Sequence, residues 1–407
     1  KVIVDKNINI MIIKPANRTN CVSEYYFSRK LQEIEAMNRQ GIPVINLGIG
    51  APDRMPPEEA ILALIKEAQN PANHAYQSYK GIASLREGFA DWYKKYYDVE
   101  LNPFTEIQPL AGSKEGILLL SLAFLNRGDK VLVPNPGYPT YSSASLLAEA
   151  EIIPYDLKEE NGWFPDFGQL EAMDLSGVKM MWTNYPNMPT GARADRQLYE
   201  RLVAFGLKHG ILICNDNPYS FILNEEQLSI LSVPGAKECC VELNSLSKAH
   251  NMSGWRIGMI AGEADIIANV LKVKSNMDSG MFKPLQLAAA VALSQGKDWY
   301  FQLNAEYRKR QRLAGEIFDL LEVKYDKNSG GMFLWGRVSD CWKNGEELSD
   351  YILQEARVFI TPGFIFGSNG EHYIRISLCA TQEVLSEALN RIRKALRLSP
   401  FKHGSFC

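Results

Sequence analysis

This 407-residue chain is notable first for what it lacks, and each absence removes a class of function. Its seven cysteines stand at positions 21, 214, 239, 240, 341, 379 and 407, with no Cys-x-x-Cys spacing. That argues for free thiols in a reducing cytosol rather than a disulfide framework or a zinc site. The five histidines are equally dispersed and outline no metal cluster. No run approaches the ~20 apolar residues of a membrane span. The most apolar segment, Gly116 to Leu125, is ten residues long. A net charge of −3 gives no electrostatic footprint for nucleic acid or an anionic membrane. Repeats and low-complexity stretches are absent, and no DNA-binding module is attached. Residues 1–14 mix Ile and Val with Lys, Asp and Asn and so lack a signal-peptide core. They read as a disordered arm or an edge strand, with Met11 a possible start and residues 1–10 a disordered or non-native extension. What is present is 46% hydrophobic residues in a chain beyond the usual single-domain size, so two structural domains are expected.

The most informative stretch is Asn244-Ser-Leu-Ser-Lys-Ala-His-Asn-Met-Ser-Gly-Trp-Arg-Ile-Gly258. It lies between two apolar runs, Cys239–Leu243 and Arg256–Gly262, that read as buried strands. A loop lysine is by default a solvated surface residue. Lys248, however, has the hydroxyls of Ser245 and Ser247 beside it and Arg256 eight residues on, donors suited to a phosphate. A lysine at a phosphate site is what pyridoxal 5′-phosphate requires, since the amine must form a Schiff base with the cofactor aldehyde. The pattern Ser-x-Ser-Lys-x-x-Asn-Met-Ser-Gly-Trp-Arg-x-Gly resembles the cofactor-lysine signature of class I aminotransferases, the fold type I pyridoxal-phosphate enzymes. The resemblance covers residues 24 to 398, with eight segments in family order.

Taken in order, residues 24–40 read as a helix ended by Gly41, followed by Ile45–Asp53. The latter resembles the family's N-terminal loop, whose last glycine, Gly50, lets substrate approach the backbone. A bare Gly-Pro turn is the plainer alternative. After a short helix, Pro57–Gln69, the spacing of Tyr76, Gly81, Leu85 and Arg86 resembles the segment that reaches across a dimer interface. The resemblance implies that Tyr76 bonds the cofactor phosphate of the other subunit, with Tyr79 the weaker match.

Gly112-Ser-Lys-Glu-Gly116 opens an apolar helix, and a helix N-terminus offers N–H groups and a positive dipole end to a phosphate. It matches the phosphate loop of the subgroup with diaminopimelate, alanine and aspartate aminotransferases, which makes Ser113 and Lys114 phosphate contacts. Tyr138, in the turn after the strand from Val131, matches the ring that stacks on the pyridine. Asp216 and Tyr219, at the end of the strand from Ile211, match the family's Asp-x-x-Tyr. The resemblance implies that Asp216 pairs with pyridine N1 and Tyr219 donates to O3′. Tyr185-Pro-Asn-Met-Pro-Thr-Gly191 departs from the family, which has asparagine at the position of Met188. A thioether cannot donate to O3′, and Asn187 lies one residue early.

Between residues 107 and 262 apolar runs alternate with helical stretches, which implies an α/β sheet buried on both faces. The candidate cofactor groups fall near strand ends, where such folds place their sites. Farther on come helices near Pro284–Gln295 and Asp298–Glu322, strands Gly330–Trp335 and Tyr373–Ser377, and a last helix, Gln382–Leu398, with a mobile tail. Arg375 interrupts an apolar strand, costly unless paired. The resemblance makes it the bidentate grip on the substrate α-carboxylate. It also implies a large domain, residues 56–290, with a mostly parallel seven-stranded sheet in three α/β/α layers. The smaller α+β domain comes from both chain ends, 11–55 and 291–407.

The expected activity is transfer of an amino group from an L-amino acid to a 2-oxo acid by a ping-pong mechanism. Lys248 is the Schiff-base lysine and proton carrier. The resemblance implies a cytoplasmic homodimer with shared active sites. The alternative is a pyridoxal-phosphate C–S β-lyase on the same fold, releasing pyruvate and ammonia without an acceptor. A regulatory domain without turnover fits poorly with the complete Lys–Asp–Arg set.

Overall fold

The computed structural model describes residues 13–398 apart from Tyr25 and Ile42. The readings of residues 1–10 as an extension and of the tail beyond Leu398 as mobile lie outside the described residues.

The central strands are apolar nearly throughout, and successive residues serve opposite faces. Val131, Met180, Cys214, Val241 and Ile260 join one apolar cluster. Their chain neighbours Leu132, Met181, Ile213, Cys240 and Met259 join another. A sheet apolar on both faces must be covered twice, and the result is an α/β fold. Its seven strands run in the order Ile107–Leu110, Gly258–Gly262, Cys240–Ser245, Leu212–Asp216, Val178–Asn184, Lys130–Asn135, Glu151–Asp156. All neighbours are parallel except those of Gly258–Gly262, which is antiparallel to both. Covering helices stop and start on local signals. Asp195 Oδ1 accepts from Leu198 N at 2.7 Å to cap Arg196–His209, and Gly210 at φ 64° ends it.

A second, antiparallel sheet orders Thr361–Pro362, Tyr373–Ser377, Phe333–Arg337 and Lys324–Tyr325. The helices Lys297–Leu320, Gly345–Ala356 and Gln382–Leu398 accompany it. The strand expected at Gly330–Trp335 begins later, at Phe333, because Gly331 takes φ 74° and the Gly330 N–H is bonded to Gly191 O at 2.8 Å. Gly331 and Met332 form a turn. The early part of the chain forms a separate two-stranded sheet tied to this one. Ile45–Asn46 pairs in parallel with Val358–Phe359, Leu47 N donates to Phe359 O at 2.9 Å, and Leu47 O accepts from Ser377 N at 2.8 Å. This clasp carries the Gly48–Gly50 turn to the flank of Arg375. Met188, Tyr219 and Ile222 pack in one apolar cluster with Phe333, Trp335 and Ile374, so the two sheets share a seam. The site lies in it.

Candidate active site

Three parallel strands end side by side, with Asn184 in register with Asp216 and Asp216 with Leu243. Side chains at these ends open into one cavity of about 410 Å³, in the position where parallel sheets place ligands. Asp216 is the last residue of its strand. Its Oδ2 accepts from the Tyr141 hydroxyl at 2.9 Å, and the Tyr141 ring is stacked on Trp182 at 4.9 Å. The Oδ1 atom is buried without a hydrogen-bond partner. Burial pushes the Asp216 carboxyl up to about 7. The Tyr141 bond and the Lys248 charge oppose that rise, and Glu242 adds to it. Tyr219, one turn on, lines the same cavity, and burial raises its hydroxyl as well.

Asn184 ties this corner together. Its Nδ2 donates to Asp216 O at 2.6 Å, and its Oδ1 accepts from Met188 N at 2.7 Å. Asn187 instead faces its own turn, accepting from Thr190 Oγ1 at 2.8 Å and donating to Asn184 O at 3.2 Å. Met188, not Asn187, therefore lines the cavity, with Sδ 3.1 Å from Arg375 Nη1.

The lysine loop leaves the strand at Ser245 and folds back on itself. Leu246 N bonds Ile257 O and Met252 N bonds Leu246 O, while Asn251 and Arg256 take φ 55° and 57°. Because Arg256 is left-handed, the returning strand starts at Gly258 rather than Arg256. Lys248 Nζ donates to Gly50 O at 2.5 Å and lies 5.9 Å from the Tyr219 ring. Burial holds its pKa below that of an ordinary lysine, with Arg375 and Arg256 adding to the effect and Cys379 and Asp216 opposing it.

At one end of the cavity the helix Ser113–Phe124 begins. Gly112 precedes it at φ 85°, and the Arg256 guanidinium occupies the space a Cβ would need there. A Cβ on Gly258 would come within 2.7 Å of Ser113 N. Arg256 is held by Ser253 O at 3.0 Å and Ala111 O at 3.4 Å. Ser113, Lys114, Ser245, Ser247 and Arg256 all line this end.

At the other end stands Arg375, 4% exposed. Its Nη2 donates to Gly48 O at 2.7 Å, and the rings of Phe333 and Phe366 lie 4.0 and 4.6 Å from its guanidinium carbon. Tyr138 lines the cavity between the two ends, and Gly50 lines its floor against Phe333. Tyr76 lies elsewhere on the surface, 90% exposed.

Sequence reasoning singled out Lys248, Asp216, Tyr219, Ser113, Lys114, Tyr138, Met188, Ser245, Ser247, Arg256, Gly50 and Arg375, and all of these meet in the cavity. It missed Tyr141 and Asn184, which stand three and four residues from residues it did name. Phe27, Leu31, Ile49 and Phe333 also line the walls. Only a helical stripe, 27 and 31, marked the first two.

Pyridoxal 5′-phosphate can be tested against these residues. A pyridine N–H needs a buried acceptor, and Asp216 Oδ1 is one without a partner. A phosphate needs N–H donors, hydroxyls and a cation, and the Ser113 helix start, Ser245, Ser247 and Arg256 supply them. An aldehyde needs an amine held below its usual pKa, which Lys248 provides. The residues fit the group.

The model of the family described as aminotransferase class I and II matches residues 42–392. A curated relative named LL-diaminopimelate aminotransferase from Moorella thermoacetica is 37% identical over 386 residues, 94% of this chain and 99% of its own. One of the same name from Maridesulfovibrio salexigens is 40% identical over 387 residues, 94% and 99% of the two chains. Among solved structures, substrate-bound BacF from Bacillus subtilis superposes with a TM-score of 0.90 at 37% identity, covering 94% of this chain and 98% of that one.

Proposed function

The chain belongs to the family of class I and II aminotransferases and is a pyridoxal-phosphate-dependent aminotransferase, and we propose that Lys248, Asp216 and Arg375 are its working centre. Within it, Asp216 Oδ1 holds the proton of the ring nitrogen, with Tyr141 and Asn184 fixing the carboxylate and its backbone. Ser113, Lys114, Ser245, Ser247 and Arg256 would hold the phosphate, Tyr138 would face the ring, and Tyr219 would donate to the ring oxygen. Met188 stands beside them without an N–H to give. Bound there, the cofactor supplies a carbonyl carbon to receive the amino group and a ring that takes up the electron pair left at Cα. Arg375 grips the substrate carboxylate as a fork while Gly50 leaves room for its backbone side. That orientation would turn the Cα–H toward Lys248, whose amine would take the proton as base and give it back as acid. A 2-oxo acid leaves, a second enters and the steps reverse, a ping-pong cycle.

We further propose a cytoplasmic homodimer with shared sites, in which Tyr76 reaches the second copy's phosphate. Its 90% exposure supports this, as does exposed Phe282, whose ring lies 5.6 Å from that of His74. Cys214 and Cys379 are free thiols, as a reducing compartment favours, but Cys341 is disulfide-bonded, which corrects the expectation of free thiols throughout. Among the described residues no helix is long and apolar enough to cross a membrane. Residues 56–290 are assigned to the large domain, and 11–55 with 291–407 to the small one.

The observation that carries the reading is the convergence of Lys248 Nζ, the unpartnered Asp216 Oδ1 and Arg375 in one cavity. Borohydride reduction of the holoenzyme followed by peptide mapping should place a pyridoxyl group on Lys248. A label on another lysine overturns the assignment. Release of pyruvate and ammonia without any 2-oxo acid acceptor would indicate the β-lyase.

A further inference from the structure

We propose that the amino acid this enzyme prefers carries an uncharged, apolar side chain, held against Phe27, Leu31 and Ile49. The inference rests on the reading above, because it takes the charged groups of the site as already engaged. Those lining the cavity are Lys114, Asp216, Lys248, Arg256 and Arg375. Each has a part in holding the cofactor, moving the proton or gripping the α-carboxylate. Among the described residues no lining carboxylate is left to meet an ammonium on a substrate side chain. With those groups engaged, a charged substrate side chain entering the cavity is stripped of water and finds no free counter-charge on its wall.

The remaining wall is apolar, and it is held in place. Phe27 and Leu31 lie four apart on the helix Tyr26–Arg39 and therefore on one face. Ile34 continues the stripe into an apolar cluster with Leu353 and Phe359. Tyr26 meets Phe364 edge to face at 5.5 Å, and Lys30 pairs with Asp350 at 3.7 Å. The helix is thus docked on the helix Gly345–Ala356 and on Phe359 and Phe364, with Phe27 and Leu31 lining the cavity. The Tyr76 segment, 74–80, which a second copy would bring on the reading above, carries no carboxylate. The curated relatives' named substrate, LL-diaminopimelate, carries a second ammonium and a second carboxylate on its side chain. This pocket is built for something else.

The test is a single-turnover half-reaction of the holoenzyme, read from the cofactor absorbance, which needs no acceptor. L-leucine, L-methionine and L-phenylalanine are compared with LL-2,6-diaminopimelate. The best apolar donor should lead in kcat/KM by about tenfold or more, the scale of discrimination an apolar pocket gives. Calorimetry with unreactive acids should agree, 4-methylpentanoate binding more tightly than 5-(trimethylammonio)pentanoate, whose quaternary nitrogen cannot form a Schiff base, by a similar factor. A smaller lead, or a lead for the diamino acid, overturns the proposal. If no amino acid discharges the cofactor, the transaminase centre itself is misassigned, while the ranking of the two unreactive acids still judges the pocket. Leu31→Asp should narrow the lead of leucine over diaminopimelate. An unchanged ratio removes Leu31 from the specificity wall.

Discussion

The two ends of the cavity are made in different ways. The phosphate end comes from two short segments: Gly112 to Lys114 and Ser245 to Arg256 build it from one helix start and one loop. The carboxylate end is assembled from residues 27–31, 48–50, 188, 333 and 375, which meet only after both chain ends have folded together. Backbone geometry grips a group common to all such enzymes and tolerates little change, as the space taken by Arg256 beside Gly112 shows. Side chains gathered from afar can be exchanged one at a time, so the substrate end is the part free to diverge.

The comparison can be broken at its centre. Lys248→Ala removes the proton carrier and should lower turnover by about 10⁴-fold, the upper range for general acid–base catalysis. The cofactor should still be retained on dialysis, because the phosphate contacts remain. Loss of cofactor together with turnover would mean that the phosphate end does not stand alone.

At the far end, Arg375→Ala should lower kcat/KM for every amino acid by ~10²–10³-fold, the cost of truncating one partner of a buried charge pair. Cofactor affinity should not move. A matching loss of cofactor would show that the two ends are one unit.

Tyr76→Phe sharpens the comparison from outside. Loss of one charge-assisted hydrogen bond to the second copy's phosphate should weaken cofactor retention by about 1.5–3 kcal/mol, with the relative rates of different amino acids unchanged. Sedimentation showing a fully active monomer would remove Tyr76 from the site.

The smallest effect is on the stability of the cofactor-free protein. Asp216 has its carboxyl raised from an ordinary 3.8 to about 7, so between those values the folded state holds a proton that the unfolded chain has released. Its contribution is therefore present below pH ~4 and is lost as pH rises toward ~7. Urea midpoints of the apoprotein should fall across that window relative to Asp216→Asn. Parallel profiles would show that Oδ1 is paired after all.

How far the sequence reveals each end follows the same division. The lysine loop, the Gly112–Gly116 turn and the Asp216/Tyr219 pair were readable because their spacing is set within a few residues. The strand Tyr373–Ser377 and the helix Gln382–Leu398 also appear within the expected limits, the helix because its apolar period is uninterrupted. Phe27 and Leu31 were not singled out as wall residues. A 27–31–34 stripe has the same period whether it faces a core or a cavity. Tyr141 was passed over because nothing local says that its hydroxyl meets a carboxylate 75 residues away. Lys274, buried between Glu115 and Asp278, gave no signal, since Glu115 is 159 residues distant. Pairings of that range are decided by topology, which local spacing does not encode.

The clasp of Leu47 between Phe359 and Ser377 also sets an order of events during synthesis. All seven strands of the large sheet are complete by Gly262, so its phosphate cradle can form while the chain is still being made. The Gly48–Gly50 turn must wait more than 300 residues for its partners, a closure of very high contact order. A nascent chain can therefore hold its coenzyme well before it can recognise an amino acid, and coenzyme bound early would steady the larger half while the last strands arrive.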